Sequence, residues 1–227
     1  GWTDVIQHTI DTGDAPPMRQ ALRPIPYATR AQLDEILDEQ LKAKIIEPSR
    51  SPYAVNLVLV KKSDGTLRAC CDYRALNAIT RRDTYPLPRM DQCLDALGGW
   101  NVWFSTFDLR SGYHQVAMHP ADKEKTTFIC HRGSFKFTTM PMGLMNAGAT
   151  SQRLMEIVLR ELIYTACIVY LDDIIVFGRT PEAHLRNIGA VLERLAEYGL
   201  KIKPSKCQLF QKRVTFLGNV VSAAGIE

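Results

Sequence analysis

Residues 167–177 read Cys-Ile-Val-Tyr-Leu-Asp-Asp-Ile-Ile-Val-Phe, so that two adjacent carboxylates, Asp172 and Asp173, interrupt a stretch of apolar residues. Short runs rich in Ile and Val predict buried strands, and the interruption predicts a tight hairpin between them. Charges beside a hydrophobic core are stable either as solvated turn residues or as ligands of a cation that cancels their repulsion. Because all the ligand atoms would be oxygens, the cation would be Mg²⁺. The stretch therefore predicts an exposed turn or a magnesium site.

A third carboxylate, Asp108, lies near the end of a predicted strand from Val102 to Leu109. An aspartate at a strand end is commonly a turn former. If this strand lies beside the hairpin of Asp172 and Asp173, however, the sheet gathers three carboxylates. That is the arrangement required for phosphoryl transfer by two metal ions, in which one ion activates the attacking hydroxyl and the other stabilises the leaving oxygen.

The predicted elements alternate irregularly between helix and strand. Residues 1–28 contain six prolines or glycines and predict an extended arm. A capping box, Thr29-x-x-Gln32, precedes a predicted amphipathic helix, and Thr180 followed by Pro181 opens another that closes at Gly199. Further helices are predicted up to Gly98-Gly99 and over Ala149–Leu162.

The strand signals come mainly as hairpins. Residues 55–60 and 67–71 form one, Thr127–Phe137 contains a second around Arg132-Gly133, and Val116–Met118 is a short strand. Short strands are also predicted around Cys207–Phe210, Val214–Leu217 and Val220-Val221. Hairpins mixed with helices favour an α+β fold with a largely antiparallel sheet over a doubly wound βαβ fold.

Composition excludes several classes of protein. With 227 residues, 46% hydrophobic and 23% charged, the chain matches a folded globular protein rather than a disordered, collagen-like or disulfide-scaffold chain. No apolar run has the length of a membrane span, and the first residues do not resemble a secretory signal. The six cysteines are scattered, which predicts reduced thiols.

Positive charge is concentrated in two stretches. Residues 61–90 carry seven Lys or Arg against three Asp, and residues 201–213 carry five Lys or Arg and no acidic residue. These stretches are either solvated faces or contacts for phosphates.

At this point several ordered motifs resemble those of one family. The Tyr-Leu-Asp-Asp sequence at 170–173 resembles the YxDD box of reverse transcriptases, and the segments around it match other motifs of the same enzymes. The chain is similar, over essentially its whole length, to the reverse transcriptases of gypsy-type LTR retrotransposons. The matching segments are the first-aspartate motif at 107–115, the fingers motif at 71–77, the Tyr-Pro-Leu-Pro segment at 85–88, the Gln-Arg-Leu-Met segment at 152–155 and a primer-grip-like Phe-Leu-Gly at 216–218.

The resemblance implies a right-hand polymerase with an α+β fold, in which the palm is a mainly antiparallel sheet packed on helices. It places the fingers roughly at 29–90 and 115–150 and the palm roughly at 91–114 and 151–227, after the arm at 1–28. It also implies that the chain stops before the thumb, connection and RNase H. The implied activity is RNA-directed and DNA-directed synthesis of DNA, by transfer of deoxynucleotides to a primer 3′-OH.

The resemblance also assigns roles to individual residues. Asp108, Asp172 and Asp173 match the catalytic carboxylates, which bind two Mg²⁺ or Mn²⁺ ions together with the backbone carbonyl of Leu109. Tyr113 matches the steric gate that excludes a 2′-OH, although from the residues alone it is equally a packed aromatic.

Further positions match nucleotide and primer contacts. Lys61 and Arg68 match the triphosphate-binding positions, and Lys62 is an alternative to Lys61. From the residues alone, they are also explained as solvent-exposed charges of a hairpin. Met142 lies where a side chain packs near the incoming nucleotide. The primer and template would be bound by Tyr170, Phe216, Leu217 and Gly218, and their backbone followed by Lys201, Lys203 and Lys206.

One segment departs from the family pattern. Where the family usually reads Pro-Phe-Gly-Leu-x-Asn-Ala-Pro-Ala-x-Phe-Gln, this chain has Met142 in place of the first phenylalanine, Gly148 in place of the second proline and Ser151 in place of the second phenylalanine. We expect altered nucleotide binding from Met142, and a looser helix start and packing from Gly148 and Ser151.

Two alternative functions remain open, and only the first of them is suggested by these departures. A noncatalytic or domesticated nucleic-acid-binding module would keep the fold without nucleotide binding. A two-metal nuclease would explain the three carboxylates but neither Tyr113 nor the fingers hairpin. A zinc site formed by His114, His119, Cys130 and His131 is disfavoured by its spacing.

The resemblance implies partners as well. They are an RNA or DNA template with its primer, dNTPs, and further polyprotein domains such as RNase H and integrase, and no membrane. The expected location is the cytoplasm, in virus-like particles, with the nucleus as the alternative.

Overall fold

The computed structural model describes residues 2–61, 65–99 and 101–227. These residues form two compact units, each assembled from separate pieces of the chain. The first unit comprises Gly1–Ile6, Thr84–Gln115 and Gly148–Glu227, and the second comprises Gln7–Asp83 and Val116–Ala147. Within the described residues, no helix combines the length and apolar character needed to cross a bilayer.

Five α-helices occur among the described residues. They are α1 (Tyr27–Lys42), α2 (Arg74–Ile79), α3 (Met90–Asp95), α4 (Ala147–Val158) and α5 (Pro181–Glu197).

The strands are short and are mostly joined as hairpins. They are β1 (Thr3–His8), β2 (Ile46–Pro48), β3 (Val55–Lys61), β4 (Leu67–Cys71), β5 (Trp103–Asp108), β6 (Val116–Met118), β7 (Phe128–Cys130), β8 (Gly133–Phe137), β9 (Cys167–Tyr170), β10 (Asp173–Gly178), β11 (Gln208–Gln211), β12 (Arg213–Phe216), β13 (Asn219–Ser222) and β14 (Gly225–Ile226).

An antiparallel sheet of four strands, in the order β11-β5-β10-β9, organises the first unit. Helix α5 packs on β10 and β5, and α3 contacts β9. The core beneath the sheet includes Phe104, Ile168 and Ile175, each at most 1% exposed, and it continues into β12 and β13 through Val214 and Val221. Such burial makes the positions of the strand ends rigid.

A five-stranded sheet in the order β2-β8-β7-β3-β4 forms the second unit. Its strand pairs are antiparallel except for β3 and β7, which run parallel. Helix α1 packs against this sheet and buries Leu33 and Leu37. The rings of Phe128 and Phe135 stack with their centroids 5.8 Å apart, so aromatic packing reinforces the β7–β8 pair.

The antiparallel sheets packed on helices confirm the predicted α+β class. The strands of the two hairpins predicted at 55–71 and 127–137 pair antiparallel. Helix α5 begins as predicted, with the Thr180 hydroxyl accepting the Ala183 N–H at 3.2 Å. All six cysteines are free thiols, as their scattered positions indicate.

Several boundaries differ from the prediction. The capping box at Thr29 is wrong, because the residue before α1 is Pro26, three residues earlier, and the Thr29 hydroxyl donates to the Pro26 carbonyl instead. Pro26 has a φ of −53° and an extended ψ of 133°, so it is the last residue before the helical conformation begins. Helix α3 ends at Asp95 rather than at Gly98-Gly99. Helix α2 and strand β2 were not predicted, because each is too short to show a period.

Candidate active site

The register of two neighbouring strands brings Asp108 and Asp173 face to face. In the antiparallel pair of β5 and β10, Asp173 is the direct partner of Asp108, and Ile174 is the partner of Phe107. Apart from the half-buried Trp103, the apolar residues of both strands are buried in the sheet, whereas the two aspartates lie at the strand ends, where the core stops. Burial of these apolar residues therefore fixes the register of the β5–β10 pair, and this register places the two carboxylates opposite each other.

Asp172 lies beside this pair in the two-residue loop that joins β9 to β10. Tyr170 pairs with Asp173 across the loop, and Leu171, the first loop residue, has a φ of +54°. A non-glycine residue rarely adopts this left-handed backbone conformation, so the surrounding contacts must hold the loop in place. The Leu171 N–H donates to the side-chain oxygen of Gln152 at 2.7 Å, and the Ser151 hydroxyl donates to Oδ1 of Asp172 at 2.7 Å.

The environment makes both adjacent carboxylates harder to ionise. Burial raises the pKa of Asp172, and the nearby charge of Asp108 raises it further, while the hydrogen bond from Ser151 opposes this. The pKa of Asp173 is raised by partial desolvation and then by repulsion from Asp172 and Asp108. Like charges that raise one another's pKa values are a common feature of catalytic carboxylates.

Lys206 is paired with Asp108, which the sequence did not indicate. Its Nζ lies 3.1 Å from Oδ2 of Asp108, and its charge opposes the rise in the pKa of Asp173. The contact arises because the segment before β11 runs alongside the end of β5, where the Lys203 N–H donates to the Asp108 carbonyl at 2.8 Å and Arg110 N–H to that of Lys201 at 2.9 Å. Lys206 was predicted only as part of a basic strip along the template, and a separation of 98 residues gives no local signal of the ion pair.

The donor set at these strand ends fits a hard divalent cation. Three carboxylates from β5, the loop and β10 offer only oxygen, the ligand preferred by Mg²⁺ and Mn²⁺. Across residues 2–61, 65–99 and 101–227, however, no three His, Cys, Asp or Glu side chains are already assembled to hold one ion. Asp108 instead pairs with Lys206, and Asp172 with Ser151. Leu109, the predicted carbonyl ligand, follows Asp108 and forms an isolated antiparallel bridge with Ile202.

Tyr113 lies near the same carboxylates, in the 3₁₀ turn Gly112–Gln115. Its ring is partly buried, and the pKa of its hydroxyl is raised by burial and by the charge of Asp172. The turn is anchored by Gln115, whose amide donates to the carbonyls of Arg110 and Lys201, each at 2.9 Å. The structure thus brings Tyr113 close enough to Asp172 to feel its charge, and its role as the steric gate stays a prediction.

The residues predicted to hold the primer lie in the same unit. Tyr170 and Leu217 pack against the core, and Phe216 is only 3% exposed. Phe216 is therefore a core residue, and its ring is not presented to a partner. Leu217 and Gly218 form the two-residue loop between β12 and β13, and both have positive φ, at +51° and +80°. This is the pattern of a type I′ hairpin turn.

The predicted triphosphate residues belong to the second unit. Lys61 and Arg68 are exposed on the paired strands β3 and β4, where Arg68 is opposite Val60 and Lys61 opposite Leu67. The competitor Lys62 lies outside the described residues.

Met142 is also in the second unit and is 45% exposed. The loop that carries it is held by Asn77 of α2, whose amide donates to the Gly143 carbonyl at 2.8 Å and whose oxygen accepts the Met145 N–H at 2.9 Å. The sequence analysis includes Asn77 in the motif at 71–77 but assigns it no role, because α2 was not predicted and its contacts lie 66 and 68 residues away.

Known proteins provide an independent comparison. Residues 60–221 match the family described as reverse transcriptase (RNA-dependent DNA polymerase). The chain is 37% identical over its full length to the retrovirus-related Pol polyprotein from transposon 297 of Drosophila melanogaster, of which it covers 22%. It is 36% identical over 98% of its length to that from transposon gypsy of the same species, again covering 22%. The chain thus spans about a fifth of the curated relatives it matches.

A solved structure has the same fold. The foamy viral protease-reverse transcriptase in complex with double-stranded DNA superposes with a TM-score of 0.90 and 25% identity, covering all of this chain and 39% of that one. The likeness confirms the predicted polymerase fold class, and the transposon relatives confirm the resemblance to gypsy-type elements.

Proposed function

Because this chain belongs to the reverse transcriptase family, we propose that it is the RNA-directed DNA polymerase core of a retrotransposon Pol polyprotein. It would transfer deoxynucleotides from dNTPs to the 3′-OH of a primer paired with an RNA or DNA template. The observation that carries the proposal is the cross-strand pairing of Asp108 with Asp173, with Asp172 in the adjoining loop.

The three aspartates would hold two Mg²⁺ ions, with Mn²⁺ as a substitute and with the Leu109 carbonyl as a further ligand. When bound, such ions lower the pKa of an attacking hydroxyl and neutralise charge on the leaving phosphates. The chain's own contribution is to fix the carboxylates on rigid strand ends. Lys206, which is ion-paired with Asp108, would offset part of the negative charge of the three carboxylates before an ion binds.

Tyr113 would select the sugar. The turn that carries it is held by Gln115, and its hydroxyl feels the charge of Asp172, which supports a fixed ring near the carboxylates that would exclude a 2′-OH. Lys61 and Arg68 would bind the triphosphate, since a point charge and a forked guanidinium both suit phosphate oxygens. Met142 would pack near the incoming nucleotide.

The proposed macromolecular partners are the template-primer duplex and the other domains of the polyprotein. The foamy viral relative was solved with double-stranded DNA, which supports a duplex ligand for the shared fold. Tyr170 and the loop of Leu217 and Gly218 would contact the primer, the loop through its backbone. The exposed lysines of residues 201–206 would contact phosphates, giving binding that weakens with salt.

A noncatalytic nucleic-acid-binding module is the second candidate, and the observation that favours it is the departure of the Met142–Ser151 segment from the family pattern. Such a protein would bind template-primer and extend nothing.

Primer extension separates these functions. The protein is given an excess of RNA template with a DNA primer, dNTPs and Mg²⁺, and is compared with Asp172→Asn. Extension by the wild type that is lost in Asp172→Asn supports the polymerase. Salt-sensitive binding without extension refutes it in favour of the module, and primer degradation without synthesis refutes it in favour of a nuclease. Asp4→Asn, at an exposed strand position, is the matched control and should extend normally.

A further inference from the structure

Helix α4 contacts both residues of the carboxylate loop through two successive side chains. Ser151 donates its hydroxyl hydrogen to Oδ1 of Asp172 at 2.7 Å, and Gln152 accepts the Leu171 N–H at 2.7 Å. Ser151 is 3% exposed and Gln152 1% exposed, so neither contact competes with bulk water. The loop is therefore fastened at its backbone by one residue and at its carboxylate by the other.

A glycine lies close to the same carboxylate oxygen, in the turn that follows β5. A Cβ on Gly112 would lie 3.2 Å from Oδ1 of Asp172 and 3.3 Å from its Cγ. Gly112 thus allows the backbone after β5 to approach the carboxylate, while the Ser151 hydroxyl engages it from α4. Oδ1 of Asp172 is thus hydrogen-bonded to α4 and lies close to the turn after β5, whereas Oδ2 makes no hydrogen bond among those shown for the described residues.

Helix α4 is itself anchored, which makes it a firm support. The Gln152 amide donates to Glu156 at 2.8 Å, and the other oxygen of Glu156 accepts the hydroxyl of Tyr85. The Arg153 guanidinium lies over the Tyr85 ring, 4.4 Å from its centroid. Ser151 is thereby carried by a helix that cannot easily shift relative to the loop.

We propose that Ser151 is a positioning residue for Asp172. The Ser151 hydroxyl holds Oδ1 of Asp172, so that Oδ2 of the same carboxylate faces a divalent cation. This inference rests on the proposed function. The family pattern that this segment resembles has phenylalanine at this place, which cannot donate a hydrogen bond, whereas Ser151 can.

The expected consequence concerns metal affinity more than folding. A residue that orients a metal ligand commonly changes affinity for the metal by 10-fold or more when it is removed. In Ser151→Ala the carboxylate gains rotational freedom, so the Mg²⁺ concentration at half effect should rise about 10-fold. Ser151→Thr keeps the hydroxyl and should remain within about twofold of the wild type.

Two readouts test this. The first is the Mg²⁺ midpoint of primer extension, with the KM for dNTP recorded at saturating Mg²⁺, where we expect it unchanged. The second is the Mg²⁺ midpoint of the rise in unfolding temperature, which needs no activity. Ser134→Ala, a serine of β8 with no side-chain hydrogen bond shown among the described residues, is the control and should leave both midpoints unchanged.

A shifted midpoint in Ser151→Ala, with Ser151→Thr near the wild type, supports the inference. An unshifted midpoint in Ser151→Ala overturns it, as does an equal shift in both variants, since that would indicate packing rather than the hydroxyl. If the wild type extends no primer, the proposed function fails, and the thermal midpoint still decides the role of Ser151. If Mg²⁺ changes neither readout in the wild type, both proposals fail.

Discussion

Replacing Asp173 by asparagine should stabilise the protein in the absence of divalent cations. Asp173 is exposed and stands directly opposite Asp108 in the β5–β10 pair. Like charges at such positions destabilise a sheet by roughly 0.2–1 kcal/mol. Asparagine has nearly the same shape, so the substitution removes the repulsion with little else. In a chain of this size, 1 kcal/mol corresponds to about 2–4 °C in unfolding temperature.

Lys206 provides an internal check on this reasoning. Its Nζ lies 3.1 Å from Asp108 and offsets part of the repulsion, although both side chains are partly exposed and the pair itself contributes no more than about 1 kcal/mol. In a Lys206→Ala background the repulsion is unshielded. Asp173→Asn should therefore raise the unfolding temperature more in that background than in the wild type.

Thermal unfolding with a chelator and with Mg²⁺ measures both effects. Mg²⁺ at ten times its Kd would stabilise a protein that binds it by about 1.4 kcal/mol. The wild type should gain this stabilisation and Asp173→Asn should gain less. The difference in unfolding free energy between the two proteins should therefore narrow or change sign when Mg²⁺ is added. Asp4→Asn changes the net charge equally and should have no such effect. The reasoning would be refuted if Asp173→Asn were no more stable than the wild type in chelator. It would also be refuted if Asp173→Asn raised the unfolding temperature equally in the wild-type and Lys206→Ala backgrounds.

Three other changes are expected to have measurable effects. Tyr113→Val should raise the incorporation of ribonucleotides relative to deoxynucleotides, measured by single-nucleotide extension; unchanged discrimination in a variant that still uses dNTPs would contradict its role as the gate. His8, whose pKa burial lowers to about 4, stays neutral when folded but binds a proton below pH 6.5 when unfolded, so stability is lost as the pH falls. From pH 7 to pH 5 the wild type should lose roughly 2 kcal/mol more than His8→Gln in denaturant titrations, and parallel pH slopes would contradict this. Gly178→Ala should destabilise by about 1–3 kcal/mol, because its Cβ would lie 2.7 Å from the backbone of His184, whereas Gly189→Ala meets nothing within 4 Å and should be neutral or stabilising in the same titrations.

The sequence predicted elements whose signals are local. The strands flanking Asp172 and Asp173 are apolar runs, and α5 has a hydroxyl cap followed by proline, so both could be placed from a few neighbouring residues. Their pairing with β5 could be expected only on the assumption that the strand of Asp108 lies beside the hairpin. The structure supplies that register.

The contacts of the site could not be predicted, because they join distant parts of the chain. Ser151 was expected only to loosen the packing of its helix, yet its hydroxyl reaches a carboxylate 21 residues away. Lys206 reaches across 98 residues to Asp108. Neither contact follows from periodicity or from a motif, since each depends on how α4 and the segment before β11 pack against the sheet.

The division of the chain also bears on the order in which it folds during synthesis. The second unit needs Val116–Ala147 before β7 can pair in parallel with β3, so its sheet cannot be completed from the first 83 residues alone. The first unit contributes Thr84–Gln115 early, but β5 waits for β9, β10 and finally β11. At translation rates of about 5–20 residues per second, β5 would remain without its sheet partners for several seconds after it is made. The strand that carries Asp108 is thus among the first parts of its sheet to be synthesised, and it is enclosed on both sides only when β11 has emerged.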